Sequence, residues 1–216
     1  MNKLITLFIL ILGLSACGQT QPGNKAVYLL IDTSGTYTEE LRKAQIILNY
    51  LLATLNSGDS IAVARIDSGS FSEKDVIAKA TFDERPSVTN DQKRLFKSEM
   101  DSFVATVSRG SAHTDITGAI LQAVGYLNET GAQEKYVMVF SDLEEDLQKG
   151  HIRDFPIDLE GIQVVALNVT KLRTDNIDPR DYLHRLAAWQ KRVIEGGGNW
   201  RVVNDFDRLD QLIAAH

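Results

Sequence analysis

The chain has 216 residues, with 23 Lys and Arg against 29 Asp and Glu, a formal net charge of −6 and one cysteine. A modestly acidic balance without a basic patch, and without aromatic residues interleaved among basic ones, argues against nucleic-acid binding. A single cysteine excludes an intramolecular disulfide.

Lys3 followed by the apolar run Leu4 to Leu14 reads as a secretory signal peptide over residues 1–16. The run is too short for a bilayer core, which needs about 20 residues. Residues 17–25 form a short polar tether containing Gly18, Pro22 and Gly23, and residues 26–216 suit one α/β domain of ordinary size. No second long apolar stretch follows, so no transmembrane helix is expected in the mature chain.

Ala26 to Ile31 is a continuous apolar run ending in Asp32, the pattern of a strand covered on both faces. Leu41, Ala44, Leu48, Leu51, Leu52 and Leu55 recur at helical spacing until Asn56-Ser57-Gly58-Asp59 stops them. Ile61 to Ile66 and Val76 to Phe82 are the next strands. About nine residues separate them, and a parallel crossover needs a dozen or more, so a hairpin with an antiparallel edge strand is predicted. Thr89 or Asn90 is expected to cap a long helix with Phe96, Met100, Phe103, Val104 and Val107 inward.

After Gly110-Ser111 a further helix carries Ile116, Ile120, Ala123, Val124 and Leu127. Tyr136 to Phe140 is a strand ending in Ser141-Asp142, and Ile162 to Val169 is another. Asp178-Pro179 opens a helix that Gly196-Gly197-Gly198 closes, Trp200 to Val203 is a short strand, and Asp205 to Ala215 a closing helix. The expected fold is α/β: a doubly wound, mostly parallel six-stranded sheet with one antiparallel edge strand and about six helices on both faces.

In such sheets ligands bind beyond the carboxyl ends of the strands, where the strand order reverses. Asp32-Thr33-Ser34-Gly35-Thr36, His113-Thr114-Asp115 and Asp142 all fall at such ends. If the first and fourth strands are neighbours, Asp32 and Asp142 converge there, with the hydroxyls of Ser34, Thr36 and Thr114 able to join them. Two carboxylates and three neutral oxygens favour Mg²⁺, Mn²⁺ or Ca²⁺ over zinc or copper.

Two resemblances sharpen this reading. Leu14-Ser15-Ala16-Cys17 resembles the lipobox of bacterial lipoproteins, which implies cleavage before Cys17, acylation of its sulfur and amine, and a membrane anchor. Gly18, where inner-membrane lipoproteins of some Gram-negative bacteria carry aspartate, implies an outer-membrane location facing the periplasm. Asp32, Ser34, Thr36, Thr114 and Asp142 resemble the metal-ion-dependent adhesion site of the von Willebrand factor A family. Thr36 stands in place of the second serine of its Asp-x-Ser-x-Ser motif.

That second resemblance implies a Rossmann-like fold that binds rather than catalyses. It implies a divalent cation, Mg²⁺ foremost, with an open coordination position for a carboxylate on a protein partner. The third loop departs from the pattern: Leu143 follows Asp142 where many members have glycine, and Glu144, Glu145 and Asp146 add charge. Such a charge run is expected to be a solvated loop. Two other readings stay open. One is a Mg²⁺-dependent, phosphatase-like hydrolase, although Ser34 stands where those enzymes carry their second aspartate and no phosphate loop is present. The other is a structural envelope lipoprotein without a metal.

Overall fold

The computed structural model describes residues 23–34, 40–107, 110–172, 175, 177–205, 209 and 212–213. In chain order its elements are β1 (Lys25–Asp32), α1 (Leu41–Thr54), β2 (Ser60–Ile66), β3 (Val76–Thr81), α2 (Pro86–Thr106), α3 (Ile116–Glu129), β4 (Glu134–Phe140), β5 (Ile162–Leu167), α4 (Pro179–Glu195) and β6 (Asn199–Val203). The strands form one six-stranded sheet in the order β3-β2-β1-β4-β5-β6. β2 and β3 are antiparallel, and the other neighbours are parallel. The hairpin and its antiparallel edge strand are therefore present, as the short β2–β3 connection requires.

β1 shows why its sequence is unbroken in apolar residues. Val27, Leu29 and Ile31 pack into one layer with the buried faces of α1 and α2, including Leu48, Leu51, Phe96 and Met100. Ala26, Tyr28 and Leu30 point the other way, into a layer with Ile120, Ala123 and Leu127 of α3 and Trp189 and Val193 of α4. Successive strand residues face opposite sides, so a strand covered twice has no polar register to expose.

Two expectations are corrected. Four α-helices flank the sheet among the described residues rather than about six. Residues 141–161, between β4 and β5, contain no helix, and most of the expected closing helix lies outside the described residues. Neither Thr89 nor Asn90 caps α2, which starts at Pro86. Proline's fixed φ and missing N–H suit the first turn of a helix, and Thr89 sits inside it with its hydroxyl donating to the Asp83 carbonyl (2.5 Å). The Asp83 carboxylate instead accepts from the Arg85 N–H (2.9 Å) just ahead of the helix. α4 begins as expected, Asp178 accepting from the Arg180 N–H (3.0 Å).

The topology fixes where a site can form. From β1 the chain builds β2 and β3 on one side, then returns to β4 and continues outward through β5 and β6. The order reverses between β1 and β4, which leaves an open crevice past their carboxyl ends. Ile31 pairs with Phe140 in the register, so the next residues on the two strands, Asp32 and Ser141, emerge together.

Candidate metal centre

Asp32 ends β1 at 1% exposure and Asp142 follows β4 at 4%. One Asp32 carboxylate oxygen accepts the Ser34 N–H (2.8 Å), and the other accepts the Ser141 hydroxyl (2.7 Å). The Ser34 hydroxyl also hydrogen-bonds to Asp32. Asp142 accepts the Glu144 N–H (2.9 Å). Burial pushes the Asp32 carboxyl above its ordinary value against these hydrogen bonds. Burial also raises Asp142 to about 6, and the negative charge of Asp32 adds to that rise. The two carboxylates are thus neighbours that disfavour each other's charge. Neither forms an ion pair with a Lys or Arg among the described residues, although Arg185 donates to the Asp142 backbone carbonyl (2.9 Å).

The second loop is fastened to the first and third. The Ser111 N–H donates to the Thr33 carbonyl (2.7 Å), and the Thr33 hydroxyl donates to the Ile66 carbonyl (3.0 Å), tying the ends of β1 and β2 to this loop. Thr114 is buried and exchanges both backbone hydrogen bonds with Asp146 (2.8 and 3.0 Å). His113 Nδ1 meets the Asp146 carboxylate at 2.8 Å. Asp115 caps α3 by accepting the Gly118 N–H (2.8 Å), and Glu145 accepts the Thr117 N–H (2.7 Å). Gly118 is required there: a Cβ would stand 2.5 Å from Asp115 Oδ2 and 2.8 Å from the Ser70 carbonyl oxygen.

The acidic run is solvated at Glu144 and Asp146, which are exposed, as expected, but Glu145 is half-buried and the run also has a structural part. Glu145 and Asp146 hold the third loop against the second, and Glu144 lies 3.5 Å from Arg185. Residues that donate N–H groups at a helix start attract carboxylates because those groups have no partner within the helix.

Of the expected site residues, Asp32 and Asp142 are brought together, with Ser34 bonded to Asp32 and Thr114 in the loop fastened beside them. Thr36 and Cys17 lie outside the described residues. The oxygen donors that are described fit a hard divalent cation: two buried carboxylates in mutual repulsion, with neutral hydroxyls in the same loops. Among the described residues no three His, Cys, Asp or Glu cluster as metal ligands, which leaves the hydroxyls an essential part of any set here. Sequence reasoning missed Ser141, Glu145 and Arg185. Ser141 had a signal, as the hydroxyl residue directly after the apolar run Tyr136 to Phe140 and directly before Asp142. Arg185 had none, being 43 residues from the carbonyl it bonds.

Leu143 has φ +66°. The residue after Asp142 is therefore left-handed, a conformation that favours glycine, but it is a buried leucine. Its N–H donates to the Ser141 hydroxyl (3.0 Å), and its carbonyl accepts from Trp189 Nε1 (3.0 Å).

The chain matches no protein-family model and no curated protein. Its structure is similar to a von Willebrand factor type A protein from Catenulispora acidiphila, with a TM-score of 0.51 at 13% identity, over 88% of this chain and 41% of that one. It is also similar to the PilB minor pilin from Streptococcus sanguinis, with a TM-score of 0.51 at 14% identity, over 90% of this chain and 60% of that one. The chain thus spans about two fifths of the first protein and three fifths of the second. Likeness at such identity reports the fold, and the sheet order with its antiparallel edge agrees: this chain has a von Willebrand factor A-like fold.

Proposed function

We propose that this chain is a membrane-tethered binding module in which Asp32, Ser34, Thr36, Thr114 and Asp142 hold a divalent cation, Mg²⁺ before Mn²⁺ or Ca²⁺. The observation that carries this reading is the pair of buried carboxylates at the ends of neighbouring strands, raised by burial and lacking an ion-pair partner among the described residues. Removing two such charges from water is costly unless a positive charge accompanies them. Ser141 and the Ser34 backbone orient Asp32, the Glu144 N–H orients Asp142, and the bridge from Asp146 fixes Thr114. Mg²⁺ bound there would supply positive charge at an open coordination position, which attracts a carboxylate on a protein partner. The role needs no catalytic residue.

Lipidation at Cys17 would hold this module at the membrane, the outer membrane facing the periplasm by the sorting rule. The short tether keeps it near the surface, and more than one acyl chain suits stable attachment. Among the described residues no helix is long and apolar enough to cross a membrane. That one similar structure is a minor pilin accords with a place in the cell envelope.

Thermal unfolding in EDTA and in excess Mg²⁺ tests the metal. Binding only the native state at a hundred times the dissociation constant adds about 2.7 kcal/mol, which is roughly 5–10 °C for a domain of this size. Absence of any shift in the wild type, or an equal shift in Asp32→Ala, would remove the metal. A pull-down from envelope extract with and without Mg²⁺, using wild type and Asp142→Ala, tests the partner. Identical captured proteins in all arms would remove metal-mediated adhesion.

A further inference from the structure

A pocket of about 280 Å³ opens on the α3 side of the sheet beside the β3 edge, and none of its lining residues belongs to the candidate metal centre. Tyr28 of β1 lines it, with its ring edge-on to Tyr126 of α3 at a centroid distance of 5.4 Å. The Tyr28 hydroxyl is buried and makes no hydrogen bond among the described residues. Buried polar groups are normally paired, so this one is an exception that asks for a partner. Burial also raises the Tyr28 pKa, which keeps the hydroxyl protonated across the neutral range.

The mouth of the pocket is unusual in two ways. Phe71 lines it at 64% exposure with φ +87°. A bulky aromatic residue in that region is a true outlier, and such strain concentrates where a side chain is held for a purpose. The charge at the mouth is unbalanced. Glu73 pairs with Lys79 at 3.0 Å, but Glu129 has no ion-pair partner among the described residues. On the helical wall, a Cβ built on Gly125 would meet nothing within 4 Å, so the sequence leaves this wall open where alanine would favour the helix.

We propose that this pocket binds a small primary ammonium carried on a compact apolar body. A small ligand follows from the volume of about 280 Å³, at the low end for small-molecule sites. The charge follows from the lining. Aromatic rings attract a cation through their negative faces, and the uncompensated Glu129 makes the field at the mouth negative. An ammonium N–H seated on the floor would donate to the Tyr28 hydroxyl oxygen and give it the missing partner.

Titrating the full-length chain with 2-phenylethylamine, followed by ¹H–¹⁵N chemical shifts, tests the site. 2-Phenylethanol and phenylacetate serve as neutral and anionic probes. The amine is expected to produce saturable shifts at residues around Tyr28, Phe71 and Gly125, with affinity about tenfold above the alcohol and no saturable shift from the anion. Gly125→Leu fills the pocket from the helix without removing a native contact, and should weaken amine binding at least tenfold. Tyr28→Phe should weaken it several-fold while leaving the melting temperature unchanged or higher, because it deletes an unpaired buried hydroxyl.

Equal affinity for amine and alcohol would overturn the cation. Unchanged binding in Gly125→Leu, or no saturable shift with any probe, would overturn the site. A lowered melting temperature in Tyr28→Phe with unchanged affinity would show that the hydroxyl serves the fold, and would overturn its part in recognition.

Discussion

Two pairs of buried aspartates at the carboxyl end of the sheet differ in what neutralises them. Asp115 accepts both arms of the Arg153 guanidinium (3.0 and 2.7 Å), and Asp175 accepts both arms of Arg185 (3.2 and 2.9 Å). Arg185 beside it holds the Asp175 carboxyl below its ordinary value. Asp32 and Asp142 are equally hidden, yet they accept only from N–H and O–H groups and both are raised. The first pair consists of finished structural ion pairs. The second has no ion pair among the described residues, Arg185 offsetting the Asp142 charge only in part, which is the arrangement the proposed cation site requires.

Removing the neutralising partner should convert one kind into the other. Breaking a buried ion pair by deleting one member costs about 3–5 kcal/mol. Arg153 is partly exposed, so Arg153→Ala should lose about 3 kcal/mol in urea unfolding. Adding Asp115→Asn should recover much of that loss, because the stranded charge is gone while an oxygen remains for the Gly118 N–H. If Arg153→Ala unfolds like wild type, Asp115 is no more balanced than Asp142 and the comparison fails.

The unbalanced pair should respond to pH in the opposite sense from an ordinary salt bridge. In EDTA, the folded protein holds a proton on Asp142 up to about pH 6, whereas the unfolded chain releases it near 3.8. Stability from this group is therefore full below about pH 4 and falls as pH rises through 6, by up to about 2–3 kcal/mol. Asp175, Asp67 and Glu134, whose values are lowered, act the other way: their stability is present at neutral pH and is lost as pH falls through their folded values. Comparing wild type with Asp142→Asn isolates the first effect. At pH 7.5 in EDTA the variant should be at least as stable as wild type, and Mg²⁺ should stabilise only wild type, with the gain fading below about pH 6 as protons compete. A variant less stable than wild type in EDTA would mean that the Asp142 charge is already compensated.

Half of this contrast could be read in the sequence. β1 and β4 are legible because a strand covered on both faces has to be continuously apolar, and Asp32 and Asp142 are legible as the first charges after those runs. The β2–β3 hairpin follows from the length of its connection alone. What neutralises each aspartate was not legible, since Arg153 lies 38 residues from Asp115 and only the folded chain brings them together. Glu145 misled for a related reason. In a run of three acids it looks solvated, but the free N–H of Thr117 at the start of α3 lies within its reach. The start of α2 was missed because Thr89 and Asn90 are good capping types, while Pro86, a stronger signal, stands three residues earlier.

The smallest effect concerns the backbone beside Asp142. Leu143 takes a left-handed φ of +66° with its side chain buried, so strain and packing oppose each other at one residue. Leu143→Ala removes the packing and keeps the strain, at about 2–5 kcal/mol for a buried leucine. Leu143→Gly removes both. Elsewhere glycine is less stable than alanine, because it loses more backbone freedom on folding. Here the order should invert, with glycine ahead by about 1 kcal/mol, since a left-handed conformation costs other residues roughly 1–2 kcal/mol. Urea unfolding of the two variants reads the difference directly. Alanine ahead of glycine would mean that the turn after Asp142 carries no strain, and that the unbalanced pair differs from the balanced one in charge alone.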